Sequence, residues 1–133
     1  MIEDQLRDLG TLRAKENAPT PIVTNLSNGS VLVEIPDVEI GAGWAVRAVK
    51  VLFLVPPGFP AAQPDCFWVE PTGLRLANGG TPQNSNDSNP IPGDSMPDRR
   101  TTWFSWHLQG WNPNRDSLQS YFHVIMKRMV PAR

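Results

Sequence analysis

Residues 51–71 read VLFLVPPGFPAAQPDCFWVEP, and this stretch decides the architecture. It begins with a continuous apolar run and passes through a proline-rich loop, PPGFPAAQP. It ends in a short second run, DCFWVEP, over 65–71. The residues just before it, WAVRAVK, alternate between apolar and polar. Alternation that gives way to an unbroken apolar run is the pattern of a half-exposed strand entering a buried sheet centre. The stretch is therefore read as two strands joined by a rigid loop. GLRL at 73–76 either extends the second strand or forms a separate ribbon.

Working back toward the N-terminus, PIVTNLSNGSVLVEIP predicts a hairpin with strands over 22–26 and 31–35. Its turn falls on Asn28-Gly29, because both residues tolerate positive φ. DVEIGAG is a connection with a tight turn at its glycines. Before the hairpin, Ile2, Leu6, Leu9 and Leu12 recur at helical spacing and predict a helix over 2–14. Beyond the central stretch, Leu118, Tyr121, Phe122, Ile125, Met126 and Met129 form a broad apolar stripe at helical period. They predict a helix over 112–130, capped at Asn112 or Asn114, with Pro113 in its first turn and Pro131 ending it. The element order is helix, four antiparallel strands, long loop, helix, which argues for an α+β fold. The expected division is one domain over 1–133, with the sheet at 22–76, a flap loop at 77–102 and an active-site segment at 103–108.

The composition narrows the functional classes. The chain has 133 residues, 40% of them hydrophobic, which is enough for one core. A net charge of -1 provides no strong field for nucleic acid or an anionic membrane surface. No apolar run is long enough to span a bilayer. The acidic, amphipathic start MIEDQLRDLG is unlike a secretory signal. A single cysteine, Cys66, excludes an internal disulfide, and a cytoplasmic protein is the simplest expectation. Two histidines without clustered cysteines give no recognisable metal spacing. No cofactor is expected.

The order of elements and three of its segments resemble the ubiquitin-conjugating (UBC) fold. The central stretch resembles that fold's third strand, its P-x-x-F-P turn and its fourth strand. WNPNRDSL at 111–118 resembles the W-x-P segment that opens the helix after the active site. The loop 77–102 falls where that fold keeps its active-site flap. FW after PD, together with FSWH, W-x-P and D-S-L, is closer to a bacterial branch, prokaryotic family E. The resemblance implies a transferase of ubiquitin-like conjugation, with a ubiquitin-like protein and an adenylating activating enzyme as partners, in operons of the kind associated with antiviral defence. Where the family places its cysteine ahead of the tryptophan matched by Trp111, this chain has Trp103. The His-Pro-Asn triplet is absent, and Asn84, Asn86 and Asn89 are the flap residues left as oxyanion candidates.

TTWFSWHLQGW, residues 101–111, then carries the question of chemistry. In an extended segment Ser105 and His107 share a face with Trp103, with Phe104, Trp106 and Leu108 on the other. One reading makes Ser105 an acyl-accepting nucleophile with His107 as its base. The other makes the segment a half-buried strand whose His107 binds a loop carbonyl. Thr101, Thr102 and Cys66 are alternative nucleophiles. Cys66 is expected on a strand, where a free cysteine usually packs as a small apolar residue, and the neighbouring Asp65 would raise its thiol pKa. Arg99-Arg100 is either a solvated loop pair or a hold for an acidic partner, and His123 falls at the edge of the last helix's stripe.

Overall fold

The computed structural model describes residues 2–133 apart from Ser88; Met1 and Ser88, which falls within the expected flap, lie outside the description. The elements are α1 (Ile2–Lys15), β1 (Ile22–Asn25), β2 (Val31–Glu39), β3 (Ala48–Val55), β4 (Phe67–Glu70), β5 (Ser85–Asp87), β6 (Thr102–Phe104) and α2 (Leu118–Met129). The fold is α+β, but among the described residues its antiparallel sheet has six strands in the order β1-β2-β3-β4-β6-β5, where the sequence predicts four. The two additional strands have three residues each. β6 falls in the segment read above as extended, whereas β5 carries no alternation of its own and is fixed by pairing with β6.

Period-two alternation explains the two layers. Val33 and Ile35 of β2, Val51, Phe53 and Val55 of β3, Phe67 and Val69 of β4 and Phe104 of β6 share one core with the helices. From α2 that core receives Leu118, Phe122, Ile125 and Met129. Tyr121 sets its ring edge-on to Phe53 at 5.3 Å, and Trp44 Nε1 donates to the Met129 carbonyl at 2.9 Å. Leu32, Leu52 and Trp68 point the other way, into a second cluster closed by Ile91 of the long loop. The central strands are apolar on both faces because helices cover one face and a loop covers the other.

Several local expectations need correction. The α2 N-cap is Ser117, in extended conformation, with Ser117 and Ser120 bonding each other's backbone amides reciprocally. Asn112 and Asn114 build the preceding turn instead: the Asn112 carbonyl accepts from the Arg115 and Asp116 amides, and its side chain accepts from the Asn114 amide. The helix accordingly starts at Leu118, well after 112. In the hairpin turn only Gly29 takes a left-handed φ, at 89°, while the Asn28 side chain accepts from the Ser30 amide. Residues 73–76 neither extend β4 nor form a strand of their own; Leu76 makes an isolated antiparallel bridge to Trp44. Cys66 is not in a strand: its φ is +59°, and β4 starts one residue later.

The loop 77–102 is no free flap. β5 lies within it and pairs with β6, and Arg75 holds Asp87 through two hydrogen bonds. Arg99, expected at the surface, has a side chain only 6% exposed and bonds Glu34, Glu70 and Asp94. It clasps the loop to β2 and β4 across the second face of the sheet. Burial alone would raise the Glu34 carboxyl, but Arg99 and Lys50 outweigh it and hold the group below its usual value.

Candidate functional site

The site is assembled by the β4–β6 register. Phe67 lies opposite Phe104 and Trp68 opposite Trp103. Running that pairing back past the end of β4 sets residues 65–66 beside residues 105–107. The Cys66 amide donates to the Trp106 carbonyl at 3.1 Å, and the Tyr121 hydroxyl donates to the Cys66 carbonyl at 2.6 Å. The aromatic residues of the segment split as the sequence predicts. Phe104 and Trp106 pack toward the helices, and Trp103 packs on the opposite face. Beneath them, the buried Arg128 guanidinium lies 4.8 Å from the Phe104 ring centre and 5.5 Å from that of Trp106. Burial, and then Arg133, lower its pKa to about 10.

At the surface of this frame stand Ser105, His107 and Asp65. His107 Nδ1 is 2.7 Å from Asp65 Oδ1, and His107 Nε2 is 3.5 Å from Ser105 Oγ. An ionised carboxylate only accepts, so Nδ1 carries the proton and donates to Asp65. Nε2 is then left with its lone pair toward the Ser105 hydroxyl. That contact is long for a hydrogen bond; base–nucleophile contacts commonly tighten when substrate binds. The His107 and Asp65 side chains are each 55% exposed, so the aromatic surroundings do not close the site to water.

Cys66 belongs to the same cluster, with Sγ 4.0 Å from His107 Nδ1. It is buried, and burial followed by the Asp65 charge pushes its thiol pKa up. A cleft of about 380 Å³ opens beside it, walled by Leu54, Trp68, Trp103, Pro90 and Pro92 and reaching Asp65 and Asn89. The indole nitrogen of Trp68 is buried and has no hydrogen-bond partner among the described residues.

The other candidates fall into different places. The Thr102 hydroxyl donates to the Pro71 carbonyl and accepts from the Leu74 amide; that of Thr101 donates to the Asn89 carbonyl. Both residues are buried, so neither hydroxyl reaches the surface as a nucleophile. Of the three flap asparagines, Asn89 lines the cleft. The Asn84 carbonyl accepts from the Ser105 amide at 2.8 Å, which occupies that N–H, and Asn86 lies opposite Trp103 in β5. His123 is exposed on α2, in a separate cleft of about 400 Å³ against α1. Asp65 is the residue sequence reasoning missed as a partner of His107. It lies 42 positions away, and only the strand register brings the two together. Among the described residues no helix is long and apolar enough to cross a membrane.

A family model described as prokaryotic E2 family E matches residues 16–132. No curated protein and no solved structure matches the chain significantly.

Proposed function

This chain belongs to the prokaryotic E2 family E, and we propose that it carries the C-terminus of a ubiquitin-like protein as an oxyester on Ser105. Membership gives it a role in ubiquitin-like conjugation, with a ubiquitin-like protein and an activating enzyme as its general partners. The single observation that carries the finer reading is the line from Asp65 through His107 to Ser105, at 2.7 and 3.5 Å. In the transfer, Ser105 Oγ attacks the acyl carbon presented as a thioester on the activating enzyme. Its proton passes to His107 Nε2, the C–O bond forms and the C–S bond breaks. The leaving thiolate takes the proton back from Nε2. Asp65 holds the ring with Nδ1 protonated and stabilises the transient imidazolium. Asn89, which lines the adjoining cleft, is assigned here as the candidate side-chain donor to the oxyanion. An oxyester is less reactive than a thioester, so onward transfer to an amine depends on orientation and on those donors.

The test is reconstitution with the cognate activating enzyme, ATP and the ubiquitin-like protein. The adduct should survive thiol reductant and break under mild hydroxide, and Ser105→Ala should abolish it. His107→Ala should slow its formation by about 10²–10⁴-fold. A reductant-sensitive adduct that disappears in Cys66→Ala would move the acyl group to the thiol, a second reading favoured by the 4.0 Å approach of Cys66 to His107. Tight binding of the partner with no adduct in the unmodified protein would make the chain a non-catalytic module that positions a ubiquitin-like protein.

A further inference from the structure

We propose that Asp65, Cys66 and His107 form a three-ligand site for zinc, and that filling it turns His107 from a base into a donor and silences Ser105. The site stands on geometry alone; its effect on Ser105 rests on the carrier reading above. A carboxylate oxygen, the thiol sulfur and a ring nitrogen lie within 4.8 Å of one another. These are the three donor types zinc takes, and three protein ligands plus one open position is the pattern of a reactive zinc site. A tetrahedral ion with ordinary bond lengths separates the ring nitrogen from oxygen by roughly 3.3 Å and from sulfur by roughly 3.6 Å. The observed separations are 2.7 and 4.0 Å, one shorter and one longer. The two nitrogen distances need shifts of roughly half an ångström, and the oxygen–sulfur pair, at up to 4.8 Å, a closure of roughly an ångström, within the reach of side-chain torsions.

The backbone is arranged before any ion arrives. The Cys66 amide bonds the Trp106 carbonyl and the Tyr121 hydroxyl bonds the Cys66 carbonyl, so the Asp65-Cys66 pair is held against the segment that carries His107. The half-exposed Asp65 and His107 leave the fourth position facing water. The sulfur ligand disfavours magnesium and calcium, which prefer oxygen donors. Metal binding would displace the thiol proton, whatever the resting pKa of Cys66.

The consequence for Ser105 follows from the two ring nitrogens. Without metal, Asp65 keeps the proton on Nδ1 and leaves Nε2 able to accept the Ser105 proton. Zinc on Nδ1 requires that lone pair and drives the proton to Nε2. Ser105 then faces an N–H donor and has no base. The ion would act as a reversible block on acylation without touching the serine.

The test uses the whole chain, stripped with chelator and titrated with Zn²⁺ in competition with a chromogenic chelator, then with Co²⁺ in its place. One equivalent of zinc should bind with a Kd below about 1 µM, and the cobalt form should show a thiolate charge-transfer band, a readout that needs no variant. Cys66→Ser should weaken binding by at least about 100-fold and remove the band. His123→Gln, which changes the other of the two histidines, should leave both as they were. Absence of the band, or unchanged affinity in Cys66→Ser, overturns the site. Transfer to Ser105 from a pre-charged activating enzyme is then followed with and without one equivalent of zinc. A drop of at least about tenfold that chelator reverses supports the block; an unchanged or faster rate with metal bound overturns it. Binding is read without any ubiquitin-like protein, so failure of the metal site and failure of the carrier reading are separate results.

Discussion

Asp65 fixes which nitrogen of His107 is free, so its replacement tests the proposed mechanism more sharply than loss of the histidine does. Asp65→Asn keeps the shape but no longer selects the tautomer. Acylation should fall by about 10²-fold or more, with recovery in part by Asp65→Glu. Equal rates for Asp65→Asn and the unmodified protein in single-turnover transfer would remove Asp65 from the mechanism. Cys66 makes a second prediction at this scale. Burial and the Asp65 charge both disfavour its thiolate, so alkylation by iodoacetamide should be slow at neutral pH. The rate should still be climbing as pH passes 9.0, the ordinary value for the group. A plateau below that pH would mean an activated thiol and would favour the thioester reading.

α2 is the element on which the site rests, since Tyr121 holds the Cys66 carbonyl and Arg128 lies under Phe104 and Trp106. Its docking is driven by the apolar stripe, in which Phe122 is only 4% exposed. Phe122→Ala should cost about 3–5 kcal/mol of stability in urea denaturation. A loss below about 1 kcal/mol would contradict the packing described. The cap is a smaller term: Ser117→Ala removes the side chain that accepts from Ser120 and should cost about 1 kcal/mol.

Across the whole molecule, Arg99 joins the long loop to the sheet. Removing it leaves the buried Glu34 carboxylate paired, among the described residues, with Lys50 alone. Arg99→Met should therefore cost about 3–5 kcal/mol at neutral pH. The pH dependence has a definite sign. Glu34 is held below its usual value of 4.5, so its pairing stabilises the fold above that pH and is lost as pH falls through the lower folded value. The difference between Arg99→Met and the unmodified protein should shrink on acidification, because protonated Glu34 no longer needs a partner. Denaturation curves at neutral pH and at about pH 4 check this; a gap that widens in acid would rule out the clasp.

The sequence by itself determined the elements with long, regular patterns: α1, the β1–β2 hairpin, β3 and the stripe of α2. It also carried the family resemblance, through the proline turn and the W-x-P word, and it singled out Ser105 and His107 from their spacing. In each case the signal is local, a period or a short motif that the backbone obeys wherever it sits. Only the tertiary structure decided β5, whose three residues acquire strand geometry by pairing, and the place of β6 between β4 and β5. Only it turned Arg99 from a surface charge into a buried clasp, since nothing in its neighbours announces Glu34 and Glu70. Cys66 and Asp65 show the same limit at the site. The sequence read Cys66 as a strand residue, and Asp65 as a charge raising the pKa of that thiol. Antiparallel register brings both to His107, and register is a property of two strands together that neither strand carries alone.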